Sequence, residues 1–236
     1  MNEELWIISV ILCSAMLLSI VYRKLDIAGA LTGGLIGMLL FAGAGFHGVA
    51  MAGAFFLLGS AATSLKMKAK VDSGLAEANY GRRTAAQVVA NAGVAAILAV
   101  LARTFPSNAN LFTTMLSASF AAAAADTLSS ELGNIYGRRF YNILGFRTGT
   151  RGGNGVVSLE GSLFGIAGSS SIAIIYVMGY GWNAAFFWII IAGTVGNVAD
   201  SVLGATLERM HYLDNNQVNF LNTLVAALAA MLLFMW

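Results

Sequence analysis

Eight stretches of this chain are apolar and long enough to cross a lipid bilayer, near 6–22, 27–45, 48–65, 84–102, 110–128, 156–178, 184–204 and 218–236. A helix needs roughly 17–25 residues to span a hydrocarbon core of about 30 Å, so each stretch suffices for one crossing. The chain is 58% hydrophobic and 10% charged, with a single proline, which excludes an ordinary soluble domain. The expectation is an all-α integral membrane protein, one polytopic domain over 1–236, with about eight transmembrane helices. The division of 27–65 rests on GAGFHG at Gly43–Gly48. That hexapeptide satisfies a dinucleotide-binding pattern, but it lies between two apolar helices rather than between a strand and a helix, and reads as a tight turn.

Basic residues test this count. Arg23 and Lys24 follow the first stretch, Lys66, Lys68, Lys70, Arg82 and Arg83 the third, Arg138, Arg139, Arg147 and Arg151 the fifth, and Arg209 the seventh. Of the 13 Lys and Arg, Arg103 alone falls on an intervening connection. Because Lys and Arg accumulate in cytoplasmic loops, the long connections 66–83 and 129–155 are expected on the cytoplasmic face, with both termini outside. Glu3 and Glu4 replace the basic head of a signal peptide, and no small-residue cleavage site follows, so 6–22 is expected to be retained as a span. Trp6 and Trp236 suit interfacial anchoring.

A faint internal echo is present. TGGLIG at 32–37 resembles EGSLFG at 160–165, GSAATS at 59–64 resembles GNVADS at 196–201, and Asn91 and Asn222 each stand early in the following span. This suggests a parallel repeat of spans two to four and six to eight, a construction that places sites at the repeat interface. Glu160 and Asp200 stand where the first copy has Thr32 and Thr63. The four-residue spacing of Gly29, Gly33 and Gly37, and of Gly161 and Gly165, is expected to serve close helix packing.

The chemistry gathers near the cytoplasmic ends. In ADTLSSELGNIYGRR at 125–139, an alanine run delivers Asp126, Ser129, Ser130 and Glu131 to its edge. A carboxylate at mid-bilayer costs about 2.5–3.5 kcal/mol on insertion scales, so a function is its default reading. Glu160, Asp200, Glu208 and Asp214 lie at the same level, among Asn154, Ser158, Asn197, Ser201, Asn215, Asn216, Asn219 and Asn222. Carboxylates and amides without clustered His or Cys form a hard oxygen donor set, suited to Mg²⁺ held jointly with substrate phosphates and unsuited to zinc. Cys13 is the sole cysteine, so neither an intrachain disulfide nor a thiolate metal site is available. The glycine-rich run at 149–155, with Gly152, Gly153 and Asn154, leads into a helix and can offer backbone N–H groups to an anion. Arg138, Arg139 and Arg151 can add phosphate contacts. No GxxxxGK[ST] sequence occurs, which excludes a P-loop enzyme. The expected chemistry is phosphoryl or nucleotidyl transfer at the cytoplasmic membrane surface.

The segments ADTLSSELGNIYGRR, GTRGGNGVVSLEGSLFG, GTVGNVADSVLGATLER, LDNNQVNFLNT and GRRTAAQVVANAG together resemble the family containing animal transmembrane protein 19 and the plant phytyl-phosphate kinase of vitamin E synthesis. The resemblance runs from about Gly29 to Leu232, and ADSVLGATLE and LDNNQVN are its most specific parts. More distantly the chain is similar to CTP-dependent dolichol and phytol kinases and phosphatidate cytidylyltransferase. The resemblance implies a CTP- or NTP-dependent membrane kinase that converts an isoprenyl monophosphate to the diphosphate. Its partners would be an isoprenyl lipid phosphate, a nucleotide and membrane lipid, with no nucleic acid. By matching position, Asp126, Glu131 and Asp200 would bind metal or nucleotide phosphate, Asn154, Ser158 and Glu160 would line the site, and Asp214, Asn215, Asn216 and Asn219 would complete it. Asp126, Asp200 and Glu160 are the expected catalytic residues. The family's Gly-Thr-Asn-Gly turn is interrupted here as Gly149-Thr150-Arg151-Gly152-Gly153-Asn154-Gly155. A CDP-lipid-forming cytidylyltransferase and a non-enzymatic carrier of a small anion or lipid stand as alternatives.

Overall fold

The computed structural model describes residues 2–76, 78–145 and 147–236. Its helices are α1 (Asn2–Val21), α2 (Ile27–Ser64), α3 (Met67–Asp72), α4 (Ala85–Thr104), α5 (Ala109–Tyr136), α6 (Leu159–Tyr180), α7 (Ala185–Leu203) and α8 (Asn215–Phe234). Polar residues at the basic end start most of the long helices. Asp26 Oδ1 accepts from Gly29 N at 2.6 Å, Ser158 Oγ accepts from Gly161 N at 3.1 Å, and Thr84 with Gln87 and Asp214 with Gln217 form capping boxes.

Seven helices are long and apolar enough to cross a membrane, among the described residues, and α2 supplies two crossings. With 38 residues, α2 would reach about 57 Å if straight, nearly twice the bilayer core. It breaks at Gly45, where φ is 62° and ψ is −156°, a conformation that glycine adopts without steric cost. The two arms then run back together: Lys24 Nζ donates to Ser64 Oγ at 2.6 Å, while Gly29 and Gly59 both abut Arg83. The break falls within the expected turn at 43–48. The molecule is thus an all-α, multi-pass integral membrane protein, which satisfies its backbone polar groups within each helix as the bilayer requires.

At the centre is α5, with every residue from Thr113 to Ala125 buried. A helix buried on all sides must be small on all sides if its neighbours are to approach, and Ala121–Ala125 provides this. A Cβ at Gly193 or Gly196 of α7 would overlap Ala121 or Ala122, and one at Gly168 of α6 would overlap Ala124. The α2 hairpin with α4, and the α6–α7 pair with α8, all pack on α5, and α4 meets α8. Asn91 and Asn222 are both buried in the early turns of α4 and α8.

Two sequence expectations change. The span expected at 110–128 continues as helix to Tyr136, because no breaker intervenes before Gly137, and Gly133 is itself needed where Gly161 passes. Asp126 therefore stands inside a helix rather than at its edge. The connection 137–158 also carries local order: β1 (Tyr141–Asn142) pairs antiparallel with β2 (Val156–Val157), delaying the start of α6 to Leu159.

Candidate active site

Helical periodicity turns the polar tail of α5 into a wall. Asp126, Ser129, Ser130 and Gly133 recur at i, i+3, i+4 and i+7, so they share one face. That face borders a cavity of about 480 Å³ at the basic end of the bundle. The opposite wall comes from α7 and its continuation, with Asn197, Asp200, Ser201, Gly204 and Glu208. Residues Gly204–Glu208 form a π-helical turn, a distortion frequent at functional sites because it displaces side chains from the regular helical register. Asn215 and Asn219 of α8 and the loop Gly152–Ser158 complete the lining.

Two carboxylates meet across this cavity. Asp126 from α5 and Asp200 from α7 lie within hydrogen-bonding reach of one another. Glu208 and Arg83 are near enough to act on Asp126 electrostatically, the first repelling and the second attracting. Asn222 Nδ2 donates to Asp200 Oδ1 at 3.4 Å, while Asn222 Oδ1 is buried without a hydrogen-bond partner. Helix packing forces this approach of like charges, since α5 and α7 touch through alanine and glycine.

The glycine-rich loop owes its path to backbone freedom at Gly152 and Gly155, with φ of 78° and 70°. A side chain at Gly155 would overlap Ala205 and the Ser201 carbonyl, so the loop is seated directly on the wall carrying Asp200. Gly152 packs against Leu75, which also lines the cavity, bringing the 65–84 connection over the same opening. Within that connection Lys70, 2% exposed, donates to the Ala62 and Thr63 carbonyls at 2.8 and 3.0 Å and pairs with Glu131.

The expected site residues divide accordingly. Asp126, Ser129, Glu131, Gly152, Gly153, Asn154, Ser158, Asp200, Asn215 and Asn219 all line the cavity. Glu160, Arg138, Arg139, Arg151 and Asn216 fall outside its lining. Glu160 accepts from the Arg138 backbone N–H at 3.4 Å, Arg138, Arg139 and Arg151 are exposed, and Asp214 is occupied in capping α8. Among the described residues no three Asp, Glu, His or Cys side chains converge as a ready-made cation cage. Asn197 and Glu208, grouped with the acidic set from sequence, line the cavity too, and Arg83, Asn91 and Asn134 line it without having been assigned to it from sequence. Arg83 was hidden because charge asymmetry across the membrane fully accounts for a basic residue in that connection.

A polytopic membrane protein with a carboxylate pair and a glycine-rich loop at its basic end is the class that these features define. The family described as integral membrane protein DUF92 matches residues 10–227, and the chain belongs to it. It is similar to the uncharacterized membrane protein sll0875 of Synechocystis, with 34% identity over 201 residues, covering 83% of this chain and 77% of that one. Similarity to the chloroplastic protein VTE6 of Arabidopsis thaliana is 30% over 216 residues, covering 89% of this chain and 65% of the relative, so this chain spans just under two thirds of it. The membrane protein MJ0933 of Methanocaldococcus jannaschii is 29% identical over 231 residues, 98% of this chain and 94% of that one. No solved structure matches.

Proposed function

We propose that the polar cavity is the active site of a kinase that transfers the terminal phosphoryl group of CTP or another nucleoside triphosphate to an isoprenyl monophosphate. The observation that carries this reading is the pairing of Asp126 with Asp200 opposite the glycine-rich loop. The resemblance to the plant phytyl-phosphate kinase family supports the acceptor class.

The donor set fits Mg²⁺. Two adjoining carboxylates, with the amide oxygens of Asn197 and Asn219 on the same lining, offer oxygen ligands only, and too few to enclose an ion. Mg²⁺ typically binds through one or two carboxylates plus substrate phosphates and water. Asp126 and Asp200 would hold it, and when bound it would neutralise charge on the transferring phosphate. Everything else falls to the chain itself. Backbone N–H groups of Gly152, Asn154 and Gly155 would seat the nucleotide phosphates, the Gly153 N–H being bonded to the Thr150 carbonyl at 3.0 Å, and the amides of Asn215 and Asn219 would orient them. An oxygen of the acceptor monophosphate bonds to the terminal phosphorus of the nucleotide, whose bond to the bridging oxygen breaks and releases the nucleoside diphosphate. The acceptor is already ionised at neutral pH, so no general base is required. The cavity would open to the cytoplasmic face, a reading supported by the positive-inside asymmetry of Lys and Arg.

The test is transfer by detergent-purified protein from labelled CTP or ATP, with Mg²⁺, to phytyl, farnesyl or geranylgeranyl monophosphate and to the free alcohols. A labelled prenyl diphosphate formed from the monophosphate alone, and lost in Asp126→Asn, is the expected result. Pyrophosphate release with a CDP-lipid product would replace the kinase by a cytidylyltransferase. Single-cysteine labelling at Asn142 from the cytoplasmic side checks the orientation.

A further inference from the structure

A second cavity, of about 700 Å³, lies between α1, the two arms of α2 and α4. Its volume falls in the range of about 300–1,000 Å³ typical of small-ligand sites. Its walls are almost wholly apolar, with Met16, Phe46, Phe55 and Phe120 among them. It runs from Ser19 and Leu25 at the basic end to Ile8 and Phe46 toward the opposite end. Two glycines explain why the helices leave this space. A Cβ at Gly53 would meet nothing within 4 Å, and one at Gly33 would meet only Leu25 at 4.0 Å. Gly33 is thus not a packing glycine, as its spacing had suggested; like Gly53, it lines the cavity.

The apolar and polar cavities share two wall residues, Arg83 and Asn91. Arg83 is only 7% exposed. Its backbone is clamped to the α1–α2 turn, N donating to the Lys24 carbonyl at 2.9 Å and O accepting from Asp26 N at 3.1 Å. Its guanidinium lies 5.3 Å over the Phe55 ring and against Gly59, and it acts on Asp126. A planar cation stacked on the wall of an apolar compartment and facing a polar one is suited to an amphiphile whose head is a phosphate.

We propose that the apolar cavity holds the hydrocarbon tail of a single-chain lipid monophosphate, and that Arg83 takes its phosphate at the junction and presents it to the polar cavity. The two cavities adjoin at Arg83 and Asn91, which puts one cationic side chain between the place of the tail and that of the head group. This rests on the reading of the polar cavity as a site for phosphate chemistry on a lipid, and it adds the tail's location and the head group's ligand.

A photoreactive geranylgeranyl monophosphate, with a diazirine at the tail end, tests it in the purified full chain without nucleotide. The expected label falls on α1 and the arms of α2, and is competed by geranylgeranyl monophosphate far better than by geranylgeraniol. Gly53→Leu lowers labelling by the long probe at least about tenfold while a geranyl monophosphate probe is retained; should that variant misfold, Gly33→Val, beside Leu25 at the basic end, lowers labelling by both probes. Arg83→Gln removes the preference for phosphate over alcohol, and Arg83→Lys restores part of it. Label on the lipid-facing surface of other helices, unchanged long-probe labelling in folded Gly53→Leu, or equal competition by the alcohol overturns the proposal. Labelling in the cavity without phosphoryl transfer would sink the kinase reading and leave this one standing, whereas transfer without such labelling would do the reverse.

Discussion

The two cavities on either side of Arg83 are built by opposite means. The polar cavity exists because α5 and α7 touch through alanine and glycine, which drives Asp126 and Asp200 together. The apolar cavity exists because glycines on α2 face no neighbour, so the helices bound a space instead of closing it. The same residue type therefore performs contrary tasks in one molecule: Gly193 and Gly196 remove distance, whereas Gly33 and Gly53 leave volume. The contrast teaches that a glycine in a membrane helix is interpretable only once its neighbour is known.

Substitutions can break this contrast, beginning with the largest expected effect. Asp126→Asn and Asp200→Asn should each lower prenyl-phosphate phosphorylation by about 10²–10³-fold or more, the scale for losing a preorganised electrostatic group, while the protein remains folded in detergent. Activity equal to the parent's in both variants would show that the carboxylate pair is structural. Next in size, Lys70→Met leaves the half-buried Glu131 without its counter-ion and should destabilise the protein by about 3 kcal/mol, the low end for a broken buried pair, read by thermal denaturation. The double variant Lys70→Met/Glu131→Leu should recover much of that loss, since the uncompensated charge is gone.

Smaller effects sharpen the comparison. Ser158→Ala removes the N-cap of α6 and should cost about 1 kcal/mol of stability. Gly196→Ala and Gly53→Ala form the most direct pair. The first should destabilise the protein by about 1–3 kcal/mol through overpacking against Ala122 and Ala226. The second should leave stability within about 0.5 kcal/mol of the parent, or raise it through helix propensity. If the two glycines responded alike in thermal denaturation, the distinction between closing distance and leaving volume would be wrong.

Much of the architecture could be read before any coordinates. Hydrophobic lengths and the alternation of Lys and Arg specified the helices and their order, and the Gly43–Gly48 turn anticipated the break at Gly45. The site was legible in part. Asp126, Asp200 and the 152–155 loop stood out because polar groups at the margin of apolar helices carry a cost that packing alone does not explain. Arg83 did not, because one basic residue in a basic loop already has a sufficient cause. Glu160 stood out for its carboxylate, yet the structure turns it toward the Arg138 backbone.

By itself the sequence determined that this protein is a multi-pass helical membrane protein with its charge gathered at one end. Those properties follow from local length and composition, which the bilayer reads segment by segment. Only the tertiary structure decided which carboxylates meet, which glycines close a contact and which leave a cavity, and that Arg83 stands between the two compartments. Those facts depend on the approach of helices distant in sequence, and no periodicity within a single segment encodes that distance.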